Sequence, residues 1–198
     1  MRNNNVIRLA QLALLAAIIV VLQQIVIPLP GGLTLSLVLV PIVVGAVLYG
    51  PAAGAILGGV FGVVVTVLVI TGRAGALSTM MWVENPVVTA LVCMLKGTAA
   101  GLVPGLIAKG LAHKPVLGTF LAAAAAPIVN TGIFLLGMLT VFRDVMLTFA
   151  DSVGMGGTAP LYFAIVVLVG VNFIVEFAAN LLLAPAIRAI VNAVRKMK

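Results

Sequence analysis

Apolar and polar residues come in blocks along this chain, with little interleaving. Six apolar runs alternate with short clusters of Pro, Gly and charged residues. The first, Ile7 to Ile27, stops at the breakers Pro28, Pro30, Gly31 and Gly32. The second, Leu33 to Tyr49, is short for a membrane span and contains Pro41, so a kink or a re-entrant turn is expected. Gly50-Pro51 marks a tight turn before the third run, Ala52 to Ile70. Thr71 to Glu84 reads as a polar loop, and Asn85 to Ala108 as the fourth span. A basic turn, Lys109 to Pro115, leads to the fifth span, Val116 to Phe142, which holds Pro127. Arg143 to Pro160 reads as the longest loop, with a Gly154-Met155-Gly156-Gly157 tip. The sixth run, Leu161 to Ile187, ends near Pro185, and a basic tail, Arg188 to Lys198, follows. The pattern predicts an all-α integral membrane protein, with residues 1–198 forming a single six-helix transmembrane domain.

Composition strengthens this reading. The chain is 64% hydrophobic and 8% charged, whereas a soluble domain carries about a quarter charged residues. The first run exceeds the about 7–15 apolar residues of a signal peptide, and no small-x-small cleavage site follows it. It is therefore expected to be a mature span. The lone Cys93 lies inside an apolar run and reads as a small buried hydrophobe, so no disulfide framework is expected.

The net charge of +7 sits at segment ends, which is a topology signal and not a nucleic-acid surface. With six spans, one side holds Arg2, Arg8, Lys109, Lys114, Arg188, Arg195, Lys196 and Lys198, and the other only Arg73 and Arg143. Both termini are then cytoplasmic, and the loops at 31–32, 71–84 and 143–160 face outward. His113 falls beside Lys114 in a cytoplasmic loop and reads as solvated.

Polar residues inside the apolar runs carry the candidate chemistry. Asn172, Glu176 and Asn180 recur at i, i+4 and i+8 and so share one helix stripe. Lys96, Asn130 and Asn172 each lie about twelve residues, or about 18 Å, below the outer end of their helix, with Thr131 beside Asn130. Glu176 lies one turn deeper, at about 24 Å. Two readings stand side by side. One is an internal Lys96–Glu176 ion pair with the asparagines bonding helix to helix, because buried charges are normally paired. The other is an outward-facing pocket in which Lys96 is counter-ion to an acidic ligand, Asn130 and Asn172 present amides, and Glu176 orients Lys96 from below. Asn180 lies nearer the cytoplasmic end and reads as packing or coupling surface. Trp82, Glu84 and Asn85, with Tyr162, form an upper tier: either an ordinary aromatic belt or a wall against which a ring-bearing ligand stacks.

Small residues repeat at i+4: Gly50, Gly54, Gly58 and Gly62 on the third helix, and Gly97, Gly101 and Gly105 on the fourth. Such stripes let backbones approach closely and predict tight packing within the bundle. Ala13 and Ala17 on the first helix form a shorter pair that suits a partner subunit. The chain has no phosphate-binding G-x-x-x-x-G-K-[ST] loop, no H-E-x-x-H, no Cys/His cluster and no nucleophile with an adjacent base. An enzyme is not expected, nor is a metal or cofactor in this chain.

A family resemblance follows from four stretches: Leu35 to Gly45 with its Ser36 and Pro41, Tyr49-Gly50-Pro51-Ala52-Ala53-Gly54, Leu95-Lys96-Gly97, and Val129-Asn130-Thr131-Gly132-Ile133-Phe134. Over essentially its whole length the chain resembles the substrate-binding S component of energy-coupling-factor (ECF) transporters, the bacterial vitamin importers. The resemblance implies a multi-pass protein of the bacterial plasma membrane that binds a vitamin or related micronutrient in its outer half. It implies docking on a transmembrane coupling protein and two cytoplasmic ATPases, which hydrolyse the ATP. In that family a helix 1 A-x-x-x-A motif contacts the coupling protein, and Ala13 and Ala17 match it. The Asn130-Thr131 pattern is similar to the branch that includes pantothenate-type members, and a small acid of that kind suits Lys96 and the asparagines. The competing expectation is a self-sufficient, ion-coupled secondary carrier with Lys96 and Glu176 as the relay.

Overall fold

The structure is a computed structural model that describes residues 4–25, 27–29, 33–35 and 37–196. Arg2, Pro30, Gly31, Gly32, Ser36 and Lys198, which entered the readings above, lie outside them. The architecture is helical apart from one short hairpin. In order, the elements are α1 (Asn4–Gln24), β1 (Ile27–Leu29), β2 (Leu33–Leu35), α2 (Leu39–Tyr49), α3 (Pro51–Ile70), α4 (Ala76–Glu84), α5 (Pro86–Gly110), α6 (Pro115–Leu139), α7 (Arg143–Ser152), α8 (Pro160–Tyr162), a π-helical segment (Phe163–Gly170) and α9 (Val171–Lys196).

Among the described residues five helices are long and apolar enough to cross a membrane: residues 5–24, 51–70, 86–110, 115–139 and 160–194. The second predicted span is different. Leu33–Leu35 pairs antiparallel with Ile27–Leu29, Pro28 facing Thr34, and only Leu39–Tyr49 is helical. The reason lies at Pro28, which lacks an N–H and pushes Ile27 out of the helical region. The first helix therefore stops at Gln24, short of the expected Ile27. At 11 residues α2 is about 16 Å long, about half of a hydrocarbon core. Pro41 is its third residue, where a proline costs no intrahelical bond, so no kink arises there.

Two expected loops contain helices, α4 within residues 71–84 and α7 within residues 143–160. Proline accounts for several boundaries, but as a starter more than as a breaker. Pro51, Pro86, Pro115 and Pro160 each occupy the first turn of a helix, where the missing N–H is not needed. Pro185, the expected end of the last helix, is instead internal to α9, and the expected basic tail is helical through Lys196.

α3 and α5 form the most extensive interface. Gly54, Gly58 and Gly62 lie against Gly101, Gly97 and Cys93, so that backbone meets backbone. A Cβ added at Gly62 would stand 2.9 Å from the Cys93 carbonyl oxygen, and one at Gly58 would overlap the carbonyl of Gly97. Gly50, with Pro51, lies against Gly105 at the end of this stripe. Its φ of 88° makes the α2–α3 turn, a conformation that glycine adopts without strain. The main apolar core gathers Ile42 and Val43 of α2, Leu57 and Phe61 of α3, and Ala122, Ala123 and Ala126 of α6. A second cluster, Met138, Phe142, Met146 and Phe163, packs α7 under the end of α6 and against the π-helical segment. In α2, eight of eleven residues are buried, whereas α1 is the most exposed of the spans. Ala13 and Ala17 lie on the exposed side of α1.

Candidate functional site

Close approach of α3 and α5 positions the chemistry. Gly58 and Gly97 touch at the crossing, and Lys96, one residue before Gly97, sits where its side chain reaches Phe61, one turn beyond Gly58. The ammonium nitrogen lies 6.0 Å from the Phe61 ring centroid and 5.4 Å from that of Phe134. Both are cation–π distances. Phe134 is one turn from Asn130 on α6, so the ring and the carboxamide share a face.

These groups border a cavity of about 470 Å³. It lies at the end of the bundle that carries the C-terminus of α1 and the α3–α4 connection. Gln23 and Gln24 contribute from α1, Ile25 from just beyond it, and Phe61, Val65 and Leu68 from α3. Arg73, Ala74 and Gly75 come from the connection, and Ser78 from α4. Lys96, Asn130 and Glu176 complete the wall from three further helices. The cavity thus offers two cations, one carboxylate, three carboxamides and a hydroxyl over an apolar floor. Its size is in the range that takes a small organic ligand, about 300–1,000 Å³.

Among the described residues no salt bridge joins Lys96 to Glu176. The Lys96 charge acts on the Glu176 carboxylate through space, but the ammonium itself faces aromatic rings. The ion pair expected from sequence is therefore not made as a contact. Among the described residues three buried amide oxygens lack a partner, Gln23 Oε1 and Asn130 Oδ1 in the cavity wall and Asn180 Oδ1 outside it.

The structure brings together Lys96, Asn130 and Glu176, and leaves the other predicted site residues out of the cavity wall. Asn85 caps α5, its side chain accepting from the Val88 N–H at 3.1 Å. Glu84 is exposed at the end of α4, and Trp82 packs against the main apolar core. Residues 76–84 are helical, and Tyr162, the fourth residue of the expected upper tier, is exposed. Asn172 is not in the cavity wall, whereas Glu176, one turn along the same helix, is. A π-helical segment, Phe163–Gly170, immediately precedes their helix. Asn180 is fully buried, and its amide nitrogen donates to the Glu176 carbonyl at 2.9 Å, in keeping with packing.

Gln23, Gln24, Arg73 and Ser78 escaped the sequence reading. Gln23-Gln24 is visible as a polar pair ending the first apolar run, and that was the available signal. A second hollow, about 450 Å³ between α1, α2 and α9, is aliphatic except for Gln11 and Tyr49. It has almost nothing with which to recognise a polar solute. Tyr49 closes one end, its hydroxyl donating to Gln11 Oε1 under the Arg8 guanidinium.

A cavity of this kind inside an apolar bundle suits a solute-binding membrane subunit. The family description "ECF transporter, substrate-specific component" matches residues 7–188. The chain belongs to this family. No curated protein matches it. As an ECF substrate-specific component the chain is a multi-pass membrane protein and a transport-specificity subunit, not an enzyme. Membership also decides between the two transport readings, in favour of an importer subunit over a self-sufficient carrier.

Proposed function

We propose that this substrate-specific component captures a small acid, pantothenate-like in size and polarity, in the cavity around Lys96. The observation that carries this reading is Lys96 itself: an intramembrane cation, without a salt bridge among the described residues, set in a cavity wall beside carboxamides. Such residues in membrane segments normally mark ligand or ion sites. Arg73 adds a second cation toward the rim, so positive charge exceeds negative by one formal unit across Lys96, Arg73 and Glu176. The Lys and Arg distribution supports an outward orientation for this end of the bundle.

Delivery then proceeds through a transmembrane coupling protein, with ATP hydrolysed by two cytoplasmic partner ATPases. The exposed Ala13 and Ala17 offer a shallow stripe on α1 for the coupling protein. The test is co-expression with candidate coupling protein and ATPases, followed by purification on a tag carried by this chain. The partners should co-purify, and the complex should bind pantothenate. Complexes that form but bind no carboxylate vitamin would remove the substrate assignment. Absence of any complex would remove the importer assembly.

A further inference from the structure

We infer that the ligand carries hydrogen-bond donors as well as its anionic group, and that Gln23 of α1 is one of the residues that read them. The inference rests on the reading of this cavity as the substrate site. It starts from two of the three buried acceptors without partners among the described residues, Gln23 Oε1 and Asn130 Oδ1, the third, Asn180 Oδ1, lying outside the cavity wall. Both side chains line the cavity, from helices α1 and α6. A buried acceptor without a donor is costly to a folded protein, and the cost is recovered when a ligand supplies the donor. The terminal torsion of a carboxamide is soft, so each oxygen turns to meet an incoming N–H or O–H at little expense.

The rest of the wall assigns the ends of the ligand. The cationic groups, Lys96 and Arg73, take the carboxylate. The acceptors, Gln23, Asn130 and the Glu176 carboxylate, face the part of the ligand that donates. A simple fatty or aromatic acid would satisfy the first set and leave the second unpaired. A neutral polyol would do the reverse. The chemistry that satisfies both is an acid bearing hydroxyl or amide N–H groups a few bonds from its carboxylate. Sites built to hydrogen-bond a ligand reject analogues that lack the matching group, because the site's own polar atoms are then left buried and unpaired.

Gln23 has a further consequence. It lies at the C-terminal end of α1, the most exposed span, so a donor on Gln23 adds a tie between that helix and the bundle.

The test is a binding panel on the purified full chain in nanodiscs, stripped of co-purified ligand. Pantothenate and biotin supply a carboxylate with N–H or O–H donors. Lipoate and niacin supply a carboxylate without them, and panthenol supplies donors without a carboxylate. A donor-bearing acid should bind at least about tenfold more tightly than any donor-free acid and than panthenol. Gln23→Leu and Asn130→Leu should each narrow that gap by about tenfold. The wild-type panel stands alone if a variant fails to fold. Lipoate, niacin or panthenol binding as tightly as the best donor-bearing acid would overturn the inference, as would no binding by any member. Tight binding of a donor-free acid would overturn it while leaving Lys96 as counter-ion, and co-purification with the ATPases tests the importer reading independently of both.

Discussion

Replacing Lys96 by Met separates a ligand counter-ion from a structural ion pair, because the two predict opposite signs in the ligand-free protein. A lysine at the centre of a membrane helix costs about 2.5–3.5 kcal/mol on insertion scales. The rings of Phe61 and Phe134, at 6.0 and 5.4 Å, return part of that, together about 1–2 kcal/mol. The difference leaves Lys96 a net burden of about 0.5–2.5 kcal/mol, so Lys96→Met should raise the stability of the empty protein by that amount. Met keeps the length and most of the apolar contact of the stem. Affinity should move the other way. A hydrogen bond to a charged group is worth about 1.5–3 kcal/mol, so an acidic ligand should bind about 10- to 150-fold more weakly. The assay is denaturant unfolding of the detergent-solubilised, ligand-free chain, paired with ligand titration. Were Lys96 one half of a buried ion pair with Glu176, its removal would cost about 3–5 kcal/mol. A loss of that size in the empty protein, or unchanged ligand affinity, would refute the reasoning.

Three further outcomes follow from the same structure. Gly58→Ala should destabilise by about 1–3 kcal/mol, because the new methyl overlaps the Gly97 carbonyl and neither backbone can rotate away. Its neighbour Gly59→Ala, whose methyl would meet Thr98 Oγ1 at an ordinary 3.7 Å, should be neutral or gain about 0.5–1 kcal/mol from helix propensity; equal unfolding midpoints for the pair would contradict the α3–α5 contact. Ala13→Trp should abolish co-purification of the coupling protein while leaving the ligand dissociation constant within about twofold, since Ala13 is exposed and distant in sequence from the cavity-lining end of α1. Thr89→Val should cost about 1 kcal/mol in unfolding free energy, because the buried hydroxyl donates to the Met81 and Asn85 carbonyls, both at 2.8 Å, and ties α4 to α5.

Much of the site was legible in the chain because charges and amides are conspicuous against an apolar background. Lys96, Asn130 and Glu176 stand out in runs otherwise made of Val, Leu, Ala and Gly, and all three line the cavity. Asn172 is outside the cavity wall, and its helix is preceded by a π-helical segment. Backbone hydrogen bonding to the fifth residue is set by packing against neighbouring helices, and no residue in Phe163–Gly170 announces it. Trp82, Glu84 and Asn85 lie outside the cavity wall, and the helix that carries the first two follows from the turn at Gly75 and from burial of Met81 in the second cluster. Gln23 was passed over because a polar pair at the end of an apolar run is ordinarily solvated.

By itself, then, the chain determined that this is a membrane protein, where its long helices run, that α3 and α5 would meet along glycine, and which intramembrane charges demanded an explanation. These are one-dimensional properties: hydropathy, spacing and residue size act through the local helix and the surrounding lipid. Only the tertiary structure decided that Lys96 faces two rings and makes no contact ion pair among the described residues, and that Gln23, Arg73 and Glu176 join it at the same cavity. Those outcomes depend on how helices rotate and slide against one another. That is set by the whole packing of the bundle, which no single segment encodes.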